Sequence, residues 1–315
     1  MCTMRIVLGW VGAAVVLLAA LIAGVAVANA TVFSASAFAR GYLDALRQGR
    51  IDEVRALPGV ETDGLDERLL DPAAVRSFDY ELVGDAESGG VHRIRVAFDR
   101  GGVDGTATLR VERIGTRFGL FPEWGFAVSP VTAVEITATG DPHVTVGELP
   151  VEVDEPTVFA VLTPGVVHLS HASAFLTARP VDVVAGGGEA SARLDVVPND
   201  AFVAAVQDAV EADLRACAAQ EVLFPTGCPF GYAIENRVAS PPDWTIGAVP
   251  TVAVVSSDEL GLWAVPPSAG TAHLSVQVQS LFDGTISTLE RDVPFEAGYR
   301  IAFDGDAVVL DPATR

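Results

Sequence analysis

A stretch of twenty-five residues without a charged side chain, Ile6 to Ala30, lies near the start of the chain. An α-helix rises about 1.5 Å per residue, so about 20 apolar residues cross the roughly 30 Å of hydrocarbon in a bilayer. The stretch is long enough to do so. We therefore predict a single membrane-spanning helix, in contact with lipid through residues 6–28, followed by a large extracytoplasmic region.

The same stretch also has features of a secretory signal. Ala28 and Ala30 flank Asn29 in the small-x-small pattern that signal peptidase reads, and Arg5 supplies a positive start. The apolar region of a signal is typically only about 7 to 15 residues long, which favours an anchor, or an uncleaved signal, within residues 1–30. Positive charge near a span tends to stay inside, so we expect a cytoplasmic N-terminus.

Charge and composition exclude several classes of function. The twenty basic residues are all Arg, which excludes a Schiff-base lysine and the lysine of a phosphate-binding loop. Residues 31–128 hold twelve Arg against sixteen Asp or Glu, and residues 129–315 hold seven against twenty-five. The formal net charge of -21 repels polyanions in general, and we expect no nucleic-acid partner.

Residues 31–128 change from a helical to an alternating pattern, which predicts an α+β domain. Ser34 to Ser36 can cap a helix that ends near Gln48, and a period of two begins at Phe78. The predicted elements are helices at 34–49 and 51–57, strands at 91–98, 103–111 and 118–126, and a hairpin connection at 99–102.

Residues 129–197 lack a convincing helical period and predict a small β-sandwich. Turn signals separate short β-rich runs at 131–137, 157–162, 166–169 and 181–184.

Residues 198–315 repeat the order of helix and antiparallel strands, which predicts a second α+β domain. The segment after Asn199 has one apolar stripe, made by Phe202, Val206, Val210, Leu214 and Cys217. Two alternating runs, 273–282 and 285–295, flank Asp283 and Gly284, a pair that favours a two-residue hairpin turn.

The segment from Phe38 to Leu46, followed by Gly49 to Asp52, resembles the opening helices of nuclear-transport-factor-like cone domains. The order of anchor, cone-like domain, sandwich and second α+β domain is similar to that of membrane-anchored envelope proteins of actinobacteria. It is more distantly similar to that of the teicoplanin-resistance-associated membrane protein family. The resemblance implies small extracytoplasmic domains that bind or sense a partner at the cell wall.

Cys217 and Cys228 lie close in sequence, at the end of the predicted helix and beside a Pro-Gly turn. A disulfide, a metal pair and a nucleophilic thiol are the alternatives. No His lies nearby and no Cys-x-x-Cys occurs, which favours the disulfide, and a disulfide implies an oxidising compartment.

His92 has the same strand parity as Ile94, Val96 and Phe98, so it is expected to face the interior of the first α+β domain. The predicted helix there carries Tyr42 and Asp44. His92, Tyr42 and Asp44 are therefore the candidate ligand-binding residues of an interior pocket. The alternative is a histidine at the rim of the sheet with no such role.

Arg93, Arg95 and Arg110 share the opposite face of the predicted strands. A solvated face is the common outcome for such a pattern. The same face can also receive an anionic wall polymer or an acidic neighbouring domain.

His168 and His171 form the one close pair of histidines, but residues three apart on a strand point to opposite sides, so we predict no metal site. The sequence has no Gly-x-Ser-x-Gly elbow, His-Glu-x-x-His motif or phosphate-binding glycine loop. We therefore expect no cofactor and no catalytic residues.

These observations favour a non-catalytic, single-pass protein of the cell envelope that binds or senses a wall component or a protein partner. A carrier or enzyme with a small-ligand pocket in the first α+β domain is the second hypothesis. A structural spacer is the third.

Overall fold

The computed structural model describes residues 2–74, 78–304 and 307–313. The fold is mixed helix and sheet with an apolar helix at the N-terminus, as predicted. The chain divides into two compact units. Unit 1 comprises Met1–Thr137, Val144–Ser170 and Pro180–Arg193, and unit 2 comprises Ala138–His143, His171–Arg179 and Leu194–Arg315.

The first helix, α1 (Cys2–Thr31), contains the predicted apolar stretch. Within it, Gly12–Thr31 has a mean hydropathy of 2.4, and none of this segment is buried against the rest of the protein. A helix of this length and composition is able to cross a membrane, although a signal sequence has the same two properties. The helix thus fits membrane association.

Two further helices follow in unit 1, α2 (Ala35–Arg47) and α3 (Ile51–Arg55). The Ser34 side chain accepts a hydrogen bond from the Ala37 amide, which satisfies one of the free donors at the start of α2. Gly49, with φ of 69°, then reverses the chain after α2. Both helices begin where the sequence predicts.

A four-stranded antiparallel sheet follows, and its strands are paired in chain order. They are β1 (Asp79–Ser88), β2 (Val91–Arg100), β3 (Val103–Arg117) and β4 (Phe121–Phe126). The predicted connection at 99–102 is a two-residue turn in which Gly101 and Gly102 have φ of 61° and 89°. Positive φ at both positions suits the right-handed twist of a hairpin and favours glycine.

The core of unit 1 lies between α2 and this sheet. Alternate residues of β2 and β3 face the helix because strand side chains alternate between two faces. The buried residues larger than alanine from these elements are Tyr42, Leu43, Leu46, Ile94, Val96, Phe98, Leu109 and Val111. The helix therefore covers one face of the sheet and leaves the other face free of it.

Eight short strands make up the middle of the chain, arranged in two four-stranded sheets. They are β5 (Val131–Thr139), β6 (His143–Val146), β7 (Leu149–Glu152), β8 (Thr157–Leu162), β9 (Gly165–Ser170), β10 (Leu176–Ala178), β11 (Val181–Ala185) and β12 (Gly188–Pro198). The strand orders are β10-β12-β5-β8 and β11-β9-β6-β7.

Unit 2 contains the helix α4 (Asp200–Ala218). The Asn199 side chain caps it by accepting from the Phe202 amide. All five residues of the predicted apolar stripe are buried, and Cys217 forms the predicted disulfide with Cys228. The bridge ties the last turn of the helix to the loop that follows.

The remaining strands form one antiparallel sheet: β13 (Arg237–Val238), β14 (Asp243–Ala248), β15 (Val255–Ser256), β16 (Trp263–Gln279), β17 (Ile286–Asp304) and β18 (Ala307–Pro312). The predicted hairpin joins β16 to β17, but the expectation of a two-residue turn is wrong. Gln279 pairs with Ile286, so the connection has six residues. Asp283 accepts from the backbone and hydroxyl of Thr285, a local arrangement that replaces the tight turn.

Candidate functional site

The first predicted site residue, Tyr42, is part of the packed core of unit 1. Its ring lies against Phe126 with centroids 5.0 Å apart. Its hydroxyl donates to the Thr163 carbonyl oxygen at 2.6 Å. Burial raises the pKa of Tyr42 strongly, and the hydrogen bond to Thr163 opposes that rise only in part. The hydroxyl is thus committed to the protein itself and stays protonated.

The second residue, Asp44, lies two positions further along α2 on a more exposed part of the helix. Its carboxylate accepts from the Tyr80 hydroxyl at 3.0 Å and lies 3.5 Å from Arg47. Burial, and then the Asp44 carboxylate, raise the pKa of Tyr80. Asp44 therefore anchors α2 to the start of β1.

The third residue, His92, lies at the start of β2 and is half-buried. Its Nδ1 donates to an Asp85 carboxylate oxygen at 2.9 Å, and the Ser36 hydroxyl donates to the other oxygen at 2.9 Å. The ring meets Trp124 edge-on with centroids 5.1 Å apart. An aspartate that fixes the orientation of a histidine is common in acid–base sites.

The geometry separates these residues into two places. Asp44 bonds to Tyr80, and His92 bonds to Asp85. Tyr80 and Asp85 are five residues apart on β1, and five residues of strand extend roughly 16 Å. In the histidine cluster the serine bonds to the carboxylate and leaves the imidazole without a bonded nucleophile. The arrangement orients a histidine but does not assemble a triad.

Ser36, Asp85 and Trp124 were not identified as site residues from the sequence. The sequence does contain a signal that places Asp85 on a strand paired with His92. Gly89 and Gly90 have φ of 62° and 81° and make a two-residue turn between β1 and β2. That turn sets the pairing that brings β1 beside His92. A double glycine between alternating runs is a recognised hairpin signal.

The outer face of the sheet carries the three predicted arginines. Arg93 lies directly opposite Arg110 in the β2–β3 register, and Arg95 lies opposite Thr108. All three side chains are exposed. Like charges directly across a strand pair are unfavourable, and none of the three forms a salt bridge within the described residues.

A cleft of about 660 Å³ opens beside Arg110 in unit 1. Its walls include Thr108, Ser129 and the glycine segment Gly186 to Gly188, and three carboxylates, of Glu61, Asp63 and Glu189, line it. Apolar side chains such as Leu65 and Val131 complete the lining, so the cleft is of mixed character and its charged groups are acidic on balance, with the guanidinium group of Arg110 on the side of the arginine face.

A second cavity in unit 1, of about 460 Å³, lies near the end of α1. Phe33, Phe38, Ile114, Pro122 and Trp124 give it an apolar lining, and Arg117 and Glu123 contribute charged groups. Trp124 also contacts His92, so the oriented histidine is close to this cavity without being among its lining residues.

His168 and His171, the close pair in the sequence, each form a hydrogen bond with a different partner. His168 Nδ1 donates to the Asp182 carboxylate at 2.7 Å, and His171 Nδ1 donates to the His143 carbonyl oxygen at 2.7 Å. Within residues 2–74, 78–304 and 307–313, no group of three or more His, Cys, Asp or Glu side chains has the arrangement of a metal site.

Comparison with protein-family models, with curated proteins and with solved structures gives no match to this chain.

Proposed function

We propose that this protein is a non-catalytic, single-pass protein of the cell envelope that binds an anionic wall polymer through the outer face of the sheet β1–β4. The binding residues are Arg93, Arg95 and Arg110. The N-terminus lies in the cytoplasm, α1 crosses the membrane, and the chain that follows α1 lies outside.

Two features support this location. The exposed apolar segment Gly12–Thr31 fits a membrane helix. The disulfide between Cys217 and Cys228 needs an oxidising compartment, and the cytoplasm is kept reducing. A span near the N-terminus, with the disulfide downstream, accounts for both features if the downstream region is exported.

The opposition of Arg93 and Arg110 is the observation that carries the binding proposal. The protein has a net charge of -21, yet it places two guanidinium groups directly across a strand pair on an exposed face. That placement costs stability in the free protein. A phosphate or carboxylate bound between the two groups would convert the repulsion into two charge-assisted hydrogen bonds, which are the strong ones.

The wider arrangement of the arginine face suits an extended ligand. A carbon atom added at Gly84 would lie 3.1 Å from an Arg95 guanidinium nitrogen, so this glycine gives Arg95 room to lie across β1. Arg110 ends the face beside the cleft, whose three carboxylates repel anionic groups and confine such a ligand to the arginine side. A polymer with repeated anionic groups is able to contact these positions in turn.

The second hypothesis, an enzyme or carrier with an interior pocket, receives less support. The region between α2 and the sheet is filled by Tyr42, Phe98, Leu109 and their neighbours. Tyr42 and Asp44 bond to other parts of the protein. A surface-binding role is consistent with a filled interior.

We also propose the layout implied by the family resemblance: anchor, cone-like domain in residues 31–128, β-sandwich in 129–197 and second α+β domain in 198–315. The capped helices α2 and α3 ahead of a sequentially paired sheet support the cone-like assignment.

The binding proposal is tested with the full-length chain in lipid nanodiscs and a poly(glycerol phosphate) probe. Arg93→Gln with Arg110→Gln is expected to weaken binding at least about tenfold, because each guanidinium supplies a charge-assisted bond. Arg300→Gln is the matched control, since Arg300 is an exposed arginine that already pairs with Asp311 at 2.9 Å. Equal affinity of the double variant and the control would refute the proposal.

The location is tested in intact cells by extracellular protease and by thiol labelling with and without reductant. The proposal predicts cleavage of the region after α1 and no labelling of Cys217 or Cys228 until reductant is added. Intact, freely soluble chain in the cytosol with both thiols reduced would contradict it.

A further inference from the structure

The turn between β3 and β4 is an exposed apolar tip, which we define as residues Arg117–Phe121. Phe118 is 86% exposed and Leu120 is 53% exposed. Phe118 also has φ of 56°, a backbone conformation that a bulky residue rarely adopts. Neither packing in unit 1 nor turn geometry accounts for a phenylalanine at this position.

The tip is attached to the last turn of α1. The Asn29 side-chain amide donates to the Leu120 carbonyl oxygen at 3.0 Å. Just beyond α1, the Phe33 ring packs on Phe121 with centroids 4.4 Å apart, and Trp124 Nε1 donates to the Phe33 carbonyl oxygen at 2.8 Å. Three separate contacts therefore fix the β3–β4 hairpin beside the end of this helix.

These contacts set the depth of the tip relative to a bilayer. Asn29 belongs to Gly12–Thr31, the segment that is long and apolar enough to span. A carbonyl group bonded to Asn29 lies at the level of the last turn of the span. A tip held at that level lies among lipid head groups and the first carbons of the acyl chains.

We propose that the tip inserts the side chains of Phe118 and Leu120 into the lipid interface, on the side of the membrane where α1 emerges. The occupant of this apolar surface is thus the bilayer that α1 crosses, because the surface is continuous with the span. This inference rests on the membrane assignment of α1 under the proposed function.

Neighbouring residues suit the same environment. Trp124, with an apolar ring and a bonded N–H, is of the type enriched at membrane interfaces. Arg117, the first residue of the tip, is mostly exposed and lies 3.4 Å from Glu123, so its charge is at the edge of the apolar surface rather than within it. The exposed Ile114 and Val32 extend that surface.

Unit 2 offers a matched control. Its β16–β17 connection carries Phe282 and Leu281, which are 98% and 74% exposed. Aromatic exposure at a hairpin end thus also occurs in unit 2, whereas the β3–β4 hairpin bonds to Asn29 of α1 and packs on Phe33 just beyond it. Comparison of Phe118 with Phe282 therefore distinguishes lipid contact that depends on attachment to the span from lipid contact that depends on exposure alone.

The test places the photoreactive residue p-benzoylphenylalanine at position 118 or at position 282 of the full-length chain. Each protein is reconstituted into vesicles of phosphatidylethanolamine and phosphatidylglycerol, floated on a density gradient, irradiated and analysed by mass spectrometry. Neither site is buried, so the replacement leaves the fold intact. We expect several-fold more phospholipid adduct at position 118 than at position 282.

The outcomes distinguish the two proposals. Flotation of the chain with equal lipid adduct at both positions, or cross-linking of position 118 to a second copy of the chain instead of lipid, would overturn the insertion of the tip and leave the anchor in place. Failure of the chain to float with the vesicles would overturn the membrane assignment of α1 and the insertion with it.

Discussion

Substitution of Tyr42 by Phe tests whether this hydroxyl is structural. The change keeps the ring, which packs on Phe126, and removes the hydroxyl, which donates to the Thr163 carbonyl oxygen at 2.6 Å and has a longer contact of 3.4 Å with the Pro130 carbonyl oxygen. Both groups are buried, so water does not replace the lost donor. Leaving a buried acceptor without its partner costs about 1 to 3 kcal/mol, and we expect the free energy of unfolding of unit 1 to fall by that amount.

Hydrogen exchange of the full-length chain in detergent micelles, read by mass spectrometry, measures this effect in α2 itself. If the buried amides of α2 exchange by opening of unit 1, their exchange accelerates by about 5- to 150-fold, the factor that corresponds to 1 to 3 kcal/mol. Exchange in α4 of unit 2 serves as an internal reference and is expected to stay unchanged.

Tyr80→Phe is the matched control. Its hydroxyl donates to the exposed Asp44 carboxylate, where water is able to take its place, so the expected cost is within about 0.5 kcal/mol. Equal protection in the Tyr42→Phe variant and the unchanged protein would refute the structural role of the Tyr42 hydroxyl and would reopen its assignment to a ligand site.

Two further predictions concern unit 2. Reduction of the bridge between Cys217 and Cys228, which are 11 residues apart, is expected to lower the free energy of unfolding of unit 2 by about 2 to 3 kcal/mol, because the unfolded chain regains the entropy of the closed loop. Thermal unfolding with and without reductant measures it, and identical transitions would contradict it. Burial, and then the Asp213 carboxylate, raise the pKa of Tyr299, so its contribution to stability is complete below the unfolded pKa of about 10 and is lost as pH rises above that value. Tyr299→Phe should therefore flatten the alkaline decline in stability of unit 2, and an unchanged slope would count against this account.

Local signals in the sequence were sufficient for the helices. Ser34 and Asn199 predict the starts of α2 and α4 because their side chains cap the nearest backbone amides. The stripe that ends at Cys217 predicts the buried face of α4 because a 3.6-residue period is a property of the helix alone. Both kinds of information lie within a few residues of the structure they specify.

Information about distant contacts was not available from the sequence. The period of α2 places Tyr42 on the inward face, but the partner of its hydroxyl, Thr163, is 121 residues away. The same limit applies to His92, whose partner Asp85 depends on the register of a hairpin. A pattern shows which way a side chain faces, but whether it meets a cavity or packed atoms depends on the rest of the chain.

The small-x-small tripeptide at residues 28–30 lies in the last helical turn of α1. To be cut there, the chain would have to unwind that turn, which breaks the bond from the Thr31 hydroxyl to the Val27 carbonyl oxygen and releases Asn29 from Leu120. Processing and folding of unit 1 therefore compete for the same few residues. Once the hairpin has docked, its bond to Asn29 holds this exposed segment in the helical form, so a peptidase is expected to act on the newly translocated chain before the hairpin docks.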